Sequence, residues 1–135
     1  MKEIYTLRRD SAYTGSMQKA SLDTNSIIGL RVTHGLIGSP SWWKQIEEGL
    51  LPSATIRGVI SGFWPGQWGG GPVEFELQDT EGSRSKYVCG LDPVMAKGEL
   101  AIGRAAEVDV VIQELKSPFR GSTSFTVLLA IRVDP

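Results

Sequence analysis

The sequence holds one cysteine, one histidine, no long apolar run and almost no net charge. Each shortage closes a class of function. Cys89 alone cannot form an internal disulfide, and a lone thiol fits a reducing compartment, so the expected location is cytoplasmic. Residues 1–9 lack the apolar core of a secretory signal, and nothing approaches the ~18 consecutive apolar residues of a membrane-spanning helix. His34 is the one ordinary general base near neutral pH, and together with Cys89 it leaves only carboxylates to complete a zinc site. No metal and no other cofactor is expected. A formal charge of −1 is neither the basic footprint of a dedicated nucleic-acid binder nor an acidic tail. Gly69-Gly70-Gly71 lacks the lysine and hydroxyl residue of a phosphate loop and does not open a helix.

What is present suits a globular β-protein. With 135 residues, 41% of them apolar and 21% charged, the chain is expected to form one domain that buries roughly two-thirds of its unfolded surface. Residues 1–25 read as an arm or edge strand: Ile4, Tyr5 and Leu7 suit a short strand, and Asp10 to Ser16 has turn composition. Residues 26–53 read as a strand–helix extension. Ser26 to His34 is β-branched and apolar between Asn25 and Gly35. Ser39 or Ser41 then offers a cap with Pro40 in the first turn, Trp43, Ile46 and Leu50 recur on one face, and Gly49 and Pro52 end the helix.

Residues 54–135 are expected to form the barrel core. Thr55 to Trp64 is rich in β-branched and aromatic residues, with Gly58 and Gly62 placed for a bulge. Val73, Phe75 and Leu77 alternate with Glu74, Glu76 and Gln78, and Arg84 to Cys89 follows a tight turn as a partner strand. Asp92-Pro93 opens one or two helical turns that stop at Gly98. Val108, Val110 and Ile112 alternate with Glu107, Asp109 and Gln113, and a last strand runs from Phe125 to Val133. Lys116 to Ser122 reads as the turn between them. This order predicts a mainly β chain: an OB-like, partly open five-stranded barrel with an N-terminal strand–helix extension and one or two short helices.

In such a barrel two connections flank one mouth. The stretch FWPGQWGGGP, residues 63–72, would bring Trp64 and Trp68, and the second connection would bring Lys116, Phe119 and Arg120. Aromatic rings offer stacking area at low entropic cost, and cations orient polar or anionic groups. The same tryptophans equally suit self-packing around the Pro65-Gly66 turn, as Trp42-Trp43 suits core packing. Glu74 and Glu76 lie on one strand face at a spacing compatible with a glycosidase carboxylate pair, although alternating glutamates usually make a solvated face. Arg84 and Lys86 are their natural cross-strand partners. A Cys89–His34 nucleophile and base has no local motif to support it. The sequence therefore predicts a non-enzymatic binding module acting through protein–protein contacts or self-association. The alternatives are an OB-like binder of single-stranded nucleic acid or oligosaccharide, and a small hydrolase using Glu74/Glu76 or His34.

Overall fold

The computed structural model describes residues 1–25, 27–65, 72–119 and 121–135. In chain order these form β1 (Lys2–Thr6), a 3-10 turn at Leu7–Arg9, α1 (Ser11–Leu22), α2 (Pro40–Glu47), β2 (Ser53–Trp64), β3 (Val73–Gln78), β4 (Arg84–Cys89), α3 (Pro93–Glu99), β5 (Ala105–Phe119) and β6 (Ser122–Val133). The chain is mainly β, with one six-stranded antiparallel sheet in the order β1-β6-β5-β2-β3-β4, consistent with a partly open barrel. The strand beyond the expected five is β1, which lies along β6 with a register shift between Glu3 and Tyr5. Among the described residues no pairing joins β4 to β1, so each is an edge.

The chain divides into two compact units. The first comprises Met1–Thr6, Thr55–Asp109 and Leu128–Pro135. Its core follows the alternation seen in the sequence: Val73, Phe75 and Leu77 are buried, while Glu74, Glu76 and Gln78 are half-buried. Phe75 meets Tyr87 across β3 and β4 with ring centroids 5.5 Å apart. The expected irregularity in β2 falls between Ile60 and Gly62. α3 is capped by Asp92, whose carboxylate accepts from the amides of Val94 and Met95, and it buries Ala96. Lys2 of β1 bonds Glu99 of α3 at 2.6 Å.

The second unit comprises Leu7–Ala54 and Val110–Val127, with a core that includes Leu7, Leu30, Ile37, Trp42 and Val111. Three expectations change here. Residues 10–16 open a helix rather than a turn: Asp10 accepts from the Tyr13 amide at 3.1 Å, and Lys116 donates to the carbonyls of Ala20 and Asp23 at the far end. α1 buries no residue fully, so it carries no apolar stripe that periodicity could reveal. Residues 27–34 are not a strand. Their ladder with β5 is a single isolated bridge, Leu30 to Leu115, because Gly29 at φ +129 turns the chain against α1, where a Cβ would lie 2.8 Å from Ser21 backbone. Lys116 to Phe119 belongs to β5 rather than to a turn, Pro118 included.

Two burial patterns are also corrected. In α2 the buried ring is Trp42; Trp43 and Ile46 are half-buried, and Leu50 lies exposed beyond the helix end. In β5 both Val110 and Val111 are buried, so the alternation inverts: Ile112 is 62% exposed and Gln113 only 3%. The inversion occurs where β5 passes from the first unit to the second.

Candidate functional site

The outer face of β2, β3 and β4 carries an exposed tryptophan among charged side chains. Register places Trp64, Glu74 and Val88 in one row, Gly62, Glu76 and Lys86 in the next, and Val59, Gln78 and Arg84 in a third. Residues opposite one another share a face. Trp64 is 43% exposed and Val88 55%. The Trp64 ring folds back over Gly62, where a Cβ would stand 2.5 Å from the ring edge, so glycine is what lets the indole lie on its own strand. Lys86 places its ammonium 4.6 Å from the Trp64 ring centroid. The aromatic thus lies against the backbone at Gly62 with a cation over the ring, and 43% of the residue stays exposed.

Charges on this face are matched but loosely held. Lys86 stands 3.9 Å from Glu74, and Arg84 stands 3.8 Å from Glu76, which also accepts from the Ser61 hydroxyl at 2.8 Å. Pairs this long, with the cation open to solvent, contribute little stability. A tighter lattice crosses β2, β5 and β6 in the same unit. Arg132 bonds Glu107 at 2.5 Å and Asp109 at 2.7 and 2.8 Å, Arg57 bonds Glu107 at 2.9 Å, and Thr55 bonds Asp109 at 2.7 Å. Hydrogen bonds from Arg132 first, then Arg57, hold the Glu107 carboxyl below its ordinary value, and Arg132 does the same for Asp109.

The remaining sequence-predicted contact residues stand in different settings. Trp68 and Arg120 lie outside the described residues. Lys116, in the second unit, gives its ammonium to the end of α1, and Phe119 is half-exposed at the end of β5. In the same unit a cleft of about 360 Å³ is lined by His34, Leu51, Pro52, Ile112 and Glu114, with the His34 ring bonded to the Thr33 hydroxyl at 3.0 Å. Arg8 caps the Trp43 ring at 3.9 Å and bonds Glu47 at 3.1 Å. Cys89 is buried on β4. Glu74 and Glu76 sit in the ion pairs just described. Among the described residues no group of three or more His, Cys, Asp or Glu is placed to hold a metal, and no helix is long and apolar enough to cross a membrane.

The model of the family described as immunity protein RhsI2 matches residues 1–133. The chain belongs to that family. A comparison with curated proteins gives no match.

In this RhsI2-family chain two features of the first unit escaped the sequence. Val88 carries no signal by itself, because a lone valine shows no face until its register against Glu74 is known. Arg132 carries one signal in the sequence, as the single charge within the apolar run Val127 to Val133.

Proposed function

We propose that this chain is an immunity protein that binds a protein toxin and neutralises it by contact, without chemistry of its own. Family membership supports the immunity role. The observation that carries the contact site is the half-exposed Trp64, fixed against Gly62 and Lys86 beside exposed Val88. Energetic centres of protein interfaces are rich in tryptophan and are ringed by a polar rim, the role open to Trp64 and its charged neighbours. A ring already held in place loses little rotamer freedom on binding. Glu74 and Glu76 on the same face oppose phosphate, so the setting favours a protein over a nucleic acid.

The test is co-expression with the toxin. The full chain should restore growth and elute with the toxin as one complex, and Trp64→Ala should weaken binding about thirtyfold, the scale of one interface anchor. A chain that neither protects nor co-elutes contradicts the proposal. Protection without a complex contradicts the contact mechanism.

A further inference from the structure

We propose that the outer edge of β4 from Arg84 to Val88 accepts an extended acidic segment of the partner protein, which joins the sheet as a further strand. This rests on the immunity reading for the identity of the partner, and it adds how that partner is held. β4 ends the strand order, and among the described residues only β3 pairs with it. Its six residues run against β3 without a register shift and without proline. The opposite edge, β1, is five residues long and broken by a shift between Glu3 and Tyr5. Short or bulged edges resist a new strand, whereas a regular one presents backbone donors and acceptors at ladder spacing.

Charge selects the occupant. On the outer face β4 carries Arg84, Lys86 and Val88, and its one neighbour β3 answers with Gln78, Glu76 and Glu74. The two ion pairs are long, 3.8 and 3.9 Å, and the Arg84 and Lys86 side chains stay 62% and 56% exposed. Arginine has five N–H donors and lysine three, so both keep capacity for a second carboxylate. A strand added on the other side sets its side chains opposite these residues, as β3 does. Acidic residues two apart would meet Arg84 and Lys86, and an apolar one would sit beside Val88. Tyr87 is buried on the other face, which calls for apolar residues at the alternate positions. The matching segment is therefore acidic and apolar in strict alternation, in the image of β3. A second copy of β4 fits less well: pairing centred on Ser85 or Lys86 sets like charges opposite one another.

The probe is a capped synthetic peptide of the β3 sequence, Val-Glu-Phe-Glu-Leu-Gln, and the control is the same peptide with both glutamates replaced by lysine. Amide exchange in the labelled full chain should show protection at Arg84 to Val88 with the acidic peptide and none with the control. Lys86→Glu should bind the acidic peptide roughly tenfold more weakly, as an attractive pair becomes repulsive. Equal protection by both peptides, protection away from β4, indifference to Lys86→Glu, or dimerisation through β4 without peptide would each overturn the proposal. No toxin enters this experiment, so its failure leaves the immunity reading to stand or fall on growth rescue alone.

Discussion

Gln113 is buried on β5 with both ends of its amide occupied: it accepts from the Trp42 indole at 2.9 Å and donates to the Arg31 carbonyl at 3.0 Å. Gln113→Leu keeps the volume but orphans a buried donor and acceptor, so we expect a loss of about 2–4 kcal/mol in urea denaturation. A double-mutant cycle with Trp42→Phe should return a coupling of about 1 kcal/mol, since the indole no longer needs a partner. Neither bond was legible in the sequence. Alternation with Val108 and Val110 put Gln113 on the solvent side, and nothing local marks the inversion at Val111. Trp64 is an intermediate case. Its place at a strand end was visible, but its seat on Gly62 was not, since the glycine reads in the sequence as a bulge position.

The strand pairings carry the next level. Arg132 ties β6 to two carboxylates of β5, and Arg57 ties β2 to one of them. Because Glu107 and Asp109 are held below their ordinary values, their contribution is complete above the unfolded values of about 4 and is lost as pH falls through the lower folded ones. The thermal midpoint should therefore be flat from neutral pH to about 5 and drop below about 4, and Arg132→Met should lower it at pH 7 while flattening that acid limb. An acid limb unchanged by Arg132→Met would show that other carboxylates set it. At α1 the element exists without a buried stripe, held by the Asp10 cap and by Lys116. Lys116→Met should speed amide exchange in the last turn of α1 and leave β3 unchanged. The β-elements were legible because half-buried strands write their period into the sequence; α1 was not, because its ties are polar and one of them comes from a residue about ninety positions away.

At the scale of the whole chain, the β-rich order from residue 54 onward was readable, down to the bulge in β2 and the capped turn at Asp92. The N-terminal strand completing the sheet on β6 was readable only as a short edge element, because five residues carry too little pattern to name a partner. The family was not readable, and for function the sequence reached only a module that works through protein contacts. Contact function leaves no catalytic constellation, only surface residues whose meaning depends on register, and the face of Trp64, Glu74, Lys86 and Val88 assembles from three strands whose exact register the sequence leaves open. Calorimetric titration of the toxin into the wild-type chain and Trp64→Ala is the most direct measurement. The account predicts a one-to-one complex, weakened about thirtyfold by the substitution, with the variant's folding stability within about 1 kcal/mol of wild type. Equal affinity for the two chains, or no heat of binding to either, would contradict it.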